Sequence, residues 1–239
     1  PKLQMSDRSA DFNPGPRMDG FTVPQWGTLC YDAHNREALL VGGGGVWGRV
    51  AMAKEKVNPG DWIYDEAARP ARTRRLLAAE KNKIAEARRF FPGHCGSWTF
   101  SEETRTWKAL AQPLSNQPSG RALPGAAYDA VNRKVVMFGG DDLARCLGDT
   151  WLYDCATRKW AKVTPKGQPA ARAGQAMAYV PHARVTLMAG GYGTGWKPLA
   201  DTWVYDTAKN EWSQLDVALP CPAFYCSADY FPEGRQVLL

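Results

Sequence analysis

A unit of about fifty residues recurs along this chain, and such a period leads to stacked supersecondary units rather than to one globular core. The stretch Arg121–Val163 returns as Arg172–Leu215. Tyr128 maps onto Tyr179 and Gly139-Gly140 onto Gly190-Gly191, each 51 positions on, while Trp151 maps onto Trp203 and Trp160 onto Trp212, each 52 on. Every copy holds four short apolar runs parted by turn signals. In the first copy these are Gly125–Tyr128, Val135–Phe138, Thr150–Tyr153 and Lys159–Val163. Runs of this length, rich in Val, Tyr, Trp and Phe, form an antiparallel meander. One four-stranded meander per repeat, arranged radially, is the blade of a β-propeller, so the predicted class is all-β.

Both copies close the second run with apolar-apolar-Gly-Gly, continue with Trp-x-Tyr-Asp, and place a further Trp six residues after that Asp. This order resembles the kelch motif, including the repeats of the galactose-oxidase central domain, and the resemblance covers roughly residues 24–239 apart from one insertion. It implies a kelch-type β-propeller with about three and a half four-stranded blades of a longer ring. Residues 1–23 form an extended lead-in, 24–111 a first blade with an insertion at about 44–95, 112–164 a second and 165–216 a third. Residues 217–239 start a fourth, truncated blade. Closure takes about four to eight blades, so the chain is expected to be a piece of a longer polypeptide.

The insertion is visible as a break in spacing. Gly42 and Trp98 lie 56 positions apart, against 12 for Gly139–Trp151 and 13 for Gly190–Trp203, so some 44 residues have entered one inter-strand loop. Within it, 70–91 reads as a helical insertion: Pro70 at a first-turn position, an Ala- and Leu-rich body, and Pro92-Gly93 as the stop. Leu77, Ile84, Ala87 and Phe91 share one stripe. From Arg49 to Arg89 there are eleven basic and six acidic residues, so five of the chain's six net positive charges lie here. In an up-and-down meander this loop shares a face with Asp141–Gly148 and Tyr192–Ala200, and with the lead-in loops Pro113–Gly120 and Thr164–Ala171.

Loops on a rigid scaffold carry binding residues, and equivalent loops that differ between copies suit a surface that reads a partner. Asp141, Asp142, Arg145 and Lys197 meet that description. Trp47, Tyr192 and Trp196 are aromatics that sit off the motif in loops, fit for ligand contact. Arg75 and Arg88 of the basic helix are candidate contacts to an anionic partner. Glu80 and Glu86 interrupt that charge, which argues against nucleic acid as the partner. Other repeated features read as structural. The double glycines suit a crowded strand end, the six recurring tryptophans suit packing between blades, and Arg121/Arg172 with Asp149/Asp201 suit a repeated hydrogen-bonding role.

The hydrophobic fraction is 44% and no run of 18 apolar residues occurs, so no membrane-spanning helix is predicted. No charged-then-apolar leader is visible at Pro1. The three histidines, His34, His94 and His182, form no metal motif, and neither a metal nor a cofactor is predicted. Of six cysteines, Cys30 is expected as a buried free thiol; Cys95–Cys146 and Cys221–Cys226 are candidate bridges. If either forms, the compartment is oxidising, and the reading leans extracellular or periplasmic on that ground.

Three functions follow. The first is a non-catalytic binding module with a protein or glycan partner on the insertion-bearing face. The second comes from the resemblance: part of a secreted kelch-type carbohydrate-active enzyme, a copper-radical oxidase or sugar-acid epimerase, with its catalytic residues mostly outside this span. The third is a structural subunit docked in a larger complex through the basic helix.

Overall fold

The structure is a computed structural model that describes residues 27–42, 97–113, 116–142 and 145–239. The lead-in at 1–23, the helix expected at 70–91, and Trp47, Arg75, Arg88, His94 and Cys95 lie outside the described residues.

The first sheet is built from β1 (Gly27–Asp32), β2 (Glu37–Gly42), β3 (Trp98–Ser101) and β4 (Thr106–Ala109) in that spatial order. The second contains β5 (Gly125–Asp129), β6 (Lys134–Phe138), β7 (Thr150–Asp154) and β8 (Lys159–Val163). The third contains β9 (Ala176–Val180), β10 (Val185–Ala189), β13 (Asp201–Asp206) and β14 (Glu211–Ala218), with a small side hairpin of β11 (Tyr192–Gly193) and β12 (Lys197–Pro198) in its second loop. A last pair, β15 (Asp229–Phe231) and β16 (Gln236–Leu238), follows. Every pairing is antiparallel. The chain belongs to the all-β class, built from four-stranded antiparallel sheets as expected of propeller blades.

Each first strand lies beside the next: β1 against β5, β5 against β9, and β9 against β15. The sheets therefore fan out from a shared inner edge, and burial follows. β6 is buried along nearly its whole length because blades cover both faces of its sheet, whereas the outermost β8 is mostly exposed. This is why the inner strands read as continuous apolar runs instead of alternating.

The Asp that ends an odd strand turns the chain. Asp129 Oδ1 accepts from the backbone N–H groups of Val131 (3.1 Å) and Asn132 (3.0 Å), and Asp32 Oδ1 does the same for His34 and Asn35. Asp154 repeats it in the outer hairpin, bonding Ala156 and Thr157. Such side-chain-to-backbone bonds stabilise a turn independently of the sheet. The residue that closes these turns and their counterparts after Ser101 and Val180 adopts φ near +55°: Arg36, Arg133 and Arg184 between first and second strands, Arg105 and Arg158 between third and fourth.

Two apolar layers hold the blades together. Cys30, Leu39 and Val41 of the first blade meet Val135, Met137, Trp151, Tyr153 and Trp160 of the second. Ala127, Val136 and Phe138 of the second meet Met177, Tyr179, Met188, Tyr205 and Trp212 of the third. Each fully buried side chain of Val, Phe or Met size contributes about 1.5–3 kcal/mol relative to exposure. The outer-strand tryptophans also hydrogen-bond across the junctions: Trp160 Nε1 donates to Ser97 Oγ (2.8 Å) and Trp212 Nε1 to Thr150 Oγ1 (3.0 Å). The expectation that all six repeated tryptophans lie between blades needs one correction. Trp107 is 48% exposed, because among the described residues no blade covers that side of the first sheet.

β2 pairs directly with β3, Leu40 opposite Trp98, although the two residues are far apart in sequence. The extra chain therefore leaves and re-enters at one end of a regular hairpin without disturbing the blade.

Candidate binding face

A lock of Asp and Trp around a buried Arg sets the loops at one end of the second and third blades. Arg172 is inaccessible to solvent and donates through Nη1 and Nη2 to Asp201 Oδ1 and Oδ2, both at 2.7 Å. Its Nη1 also reaches Gly190 O (3.1 Å) and its Nε reaches Ala170 O (3.1 Å). Trp203 Nε1 donates to Asp201 Oδ2 at 2.7 Å. In the second blade, Arg121, Gly139, Asp149 and Trp151 repeat the arrangement. Burial alone would raise the Asp201 and Asp149 carboxyls; the bonds and charge of the paired arginine, with the indole N–H, outweigh it and hold both below the ordinary carboxylate range.

The double glycines complete the frame. Gly139 and Gly190 have φ of +66° and +67°, and a Cβ on either would drive into the next blade's backbone, at Arg172 O and Ala223 O respectively. Gly140 N donates to Arg172 O (2.9 Å) and Gly191 N to Ala223 O (2.7 Å), so backbone stitches one blade's loop to the next. The bridges Ala122↔Asp141 and Ala173↔Tyr192 tie each second-strand loop to the segment leading into its blade. These loops share the end at which the 43–96 segment leaves β2.

On this frame the third blade raises an aromatic cluster. Tyr192 is 2% exposed; Trp196, at φ +61° in the β11–β12 hairpin, stacks on it with centroids 4.4 Å apart and planes 7° from parallel. Phe224 and Tyr225 approach Tyr192 edge-on, each at 5.8 Å. Trp196 remains 62% exposed and Tyr225 53%. The Tyr192 hydroxyl donates to Asp141 Oδ2 (3.2 Å), and burial, followed by the charge of Asp141, pushes its phenol far up, so it stays a neutral donor.

The sequence-predicted residues thus divide. Tyr192, Trp196, Asp141 and the exposed Lys197 lie in this cluster or at its margin. Asp142 and Arg145 form a local turn, Arg145 N donating to Asp142 Oδ1 at 3.0 Å, with the guanidinium Nε 3.8 Å from Oδ2. Tyr192 is the floor of the cluster rather than an open platform; the outward surface belongs to Trp196. Phe224 and Tyr225 were not singled out by sequence reasoning. The signal was present: they align with Ala173 and Gly174 of the preceding repeat, so two aromatics replace two small residues in a lead-in loop.

The proposed bridges are not made. Cys146 is a buried free thiol donating to Tyr192 O (3.5 Å), and Cys221 and Cys226 are free and exposed. The oxidising-compartment argument therefore loses its support. Burial, then Asp141 and Asp142, pushes the Cys146 thiol up to about 11, so it is a packing group and not a nucleophile. Cys30 is buried and free, its thiol pushed up to about 12 by burial. Among the described residues no three His, Cys, Asp or Glu side chains gather into a metal-holding group, and no helix is long and apolar enough to cross a membrane.

Comparison with known proteins agrees with this architecture. The family described as KLHDC2/KLHL20/DRC7 Kelch-repeats domain matches residues 92–233. Kelch domain-containing protein 2 of Bos taurus is 32% identical over 117 residues, 48% of this chain and 27% of that protein. The chain thus aligns with about a quarter of the length of that relative.

Proposed function

Because the chain belongs to the kelch-repeat family, whose repeats generally mediate protein interactions, we propose that it is a non-catalytic binding module holding a protein partner on the loop face around Trp196. The observation that carries this reading is the cluster's construction. A 62% exposed indole is held rigid by stacking on a buried tyrosine, with Phe224 and Tyr225 beside it. Rigid, half-exposed aromatics bury large area at small entropic cost, and Trp and Tyr dominate binding hot spots. Lys197, Arg145 and Asp142 supply a polar rim of both signs, as a protein interface requires.

A protein is favoured over a glycan because the floor ring is covered: Trp196 offers one open face, and its neighbours stand edge-on instead of extending a flat stacking platform. Photo-crosslinking tests the reading. A benzoyl-phenylalanine at position 196 should capture a discrete protein partner, lost on adding Tyr225→Ala. The same probe at His182, on the opposite face, should capture none. Equal capture at both positions, or a Trp196→Ala chain that keeps glycan binding while no protein adduct ever forms, would remove it.

A further inference from the structure

Charges of both signs surround the aromatic cluster, yet the rings themselves sit in a negative field. Asp141 is fixed at the edge of the lower ring: its backbone N–H and C=O are each bonded to Ala122 at 2.8 Å, and its Oδ2 accepts from the Tyr192 hydroxyl. The Tyr225 phenol and the Cys146 thiol are both pushed up, by burial first and then by the charge of Asp141, with a hydrogen bond to Tyr192 partly opposing the effect on Tyr225. Asp142 adds to the effect on Cys146. No basic side chain pulls either proton the other way. Arg145 directs its guanidinium at Asp142 from a side chain that is 73% exposed, and Lys197 is exposed. The negative charge is therefore not cancelled where the rings are.

The rings are also held in place before any partner arrives. Two backbone bonds stitch Tyr192 to Ala173, Trp196 N donates to Gly193 O (3.1 Å), and Tyr225 N donates to Gly174 O (2.8 Å). Tyr225 and Tyr192 close over Gly174, where a Cβ would lie 3.1 Å from Tyr225 Cδ1 and 3.4 Å from Tyr192 Cε1. Trp196 thus presents one open face, its other face lying on Tyr192, while Phe224 and Tyr225 stand edge-on to that lower ring.

We infer that the open face of Trp196 receives an arginine side chain of the protein partner, stacked flat on the indole within the field of Asp141 and Asp142. The π-face attracts a cation, and the carboxylates add to that attraction. A partner carboxylate would be repelled by both. Arginine is favoured over lysine because a planar, weakly hydrated guanidinium stacks on a single flat ring, whereas alkylated ammonium groups are taken up by cages of several rings. Here the neighbouring rings meet Tyr192 by their edges and form no such cage around Trp196. The inference deepens the partner reading above and rests on it.

Three peptides test it: acetyl-Gly-Arg-Gly-amide, the same peptide with citrulline, which keeps the shape and lacks the charge, and the same peptide with glutamate. Binding is followed by NMR at the Trp196 indole N–H, assigned through Trp196→Phe, while the Trp160 and Trp212 indoles report an intact fold. The arginine peptide should shift the Trp196 signal saturably and bind about fivefold tighter than the citrulline peptide. Asp141→Asn, which keeps an acceptor for Tyr192, should bring the two close together, and Trp196→Ala should abolish both. With the fold intact, equal affinity for arginine and citrulline, tighter binding of the glutamate peptide, or no saturable shift at Trp196 overturns the inference. The wild-type comparison decides this without any variant. A protein adduct crosslinked at position 196, together with equal arginine and citrulline binding, refutes the arginine and leaves the partner reading standing. Absence of any adduct removes the partner reading, and this inference with it.

Discussion

Replacing Asp201 with Asn keeps the shape of the third-blade lock and removes its charge. Arg172 is wholly buried and gives two of its four side-chain hydrogen bonds to that carboxylate. Asn can accept one of them through its carbonyl, but its amide NH2 then faces either a guanidinium N–H or the Trp203 indole, both donors. One charged donor is left unpaired and the buried guanidinium loses its counter-charge, while the Asp201 side chain keeps 25% of its surface open to solvent, so the cost is about 1.5–3 kcal/mol. Urea unfolding followed by tryptophan fluorescence measures it. The same residue sets a pH dependence. The Asp201 carboxyl is depressed in the folded chain, so the stability it contributes is present above its unfolded pKa of about 3.9 and is lost as pH falls through the lower folded value. The wild type should therefore lose more stability than Asp201→Asn between neutral pH and acid. A cost below about 1 kcal/mol, or parallel acid profiles, would refute the lock as a stabilising ion pair.

Gly190→Ala should cost at least about 3 kcal/mol, since φ of +67° strains any L side chain and the new methyl meets the Ala223 carbonyl, whereas Gly195→Ala, at φ +75° with open space, should cost only about 1 kcal/mol. Thermal unfolding of the pair separates crowding from backbone strain. Arg184 sits at φ +56° with an exposed side chain, so Arg184→Gly should stabilise by about 0.5–1 kcal/mol while Arg184→Ala changes little, as read by urea midpoint. In a native-state thiol titration Cys221 and Cys226 should react at once and Cys30, Cys146 and Cys155 only on unfolding; a bridge between Cys221 and Cys226 would show as two missing fast thiols.

The strands were legible because each repeat writes them locally. Val135–Phe138 and Thr150–Tyr153 are apolar runs bounded by Asp-initiated turns and glycines, and the structure places β6 and β7 within a residue of those limits. The buried Arg–Asp pairs were legible as repeated positions. What the sequence left open depends on contacts between residues distant along the chain. Trp196 was identifiable as an off-motif aromatic, yet nothing local says that it lies flat on Tyr192. Trp107 carries the same motif position as Trp160 and Trp212; its exposure depends on which blade stands beside it. Cys146 has Cys95 as a candidate partner because their loops are neighbours in sequence order, whereas its thiol spends its hydrogen bond on Tyr192 O. Junction contacts such as Gln112 with the backbone of Trp160 and Gln175 with Phe138 O join residues 48 and 37 positions apart, and neither leaves a period to read.

Successive blades sharing an axis and locked through their outer tryptophans is the claim on which the loop face depends. The double-mutant cycle of Trp212→Phe with Thr150→Val probes one such junction across residues 62 positions apart. A coupling of about 1 kcal/mol between the two substitutions is predicted, as for one buried hydrogen bond. Additive effects, with no coupling between the second and third blades, would contradict it.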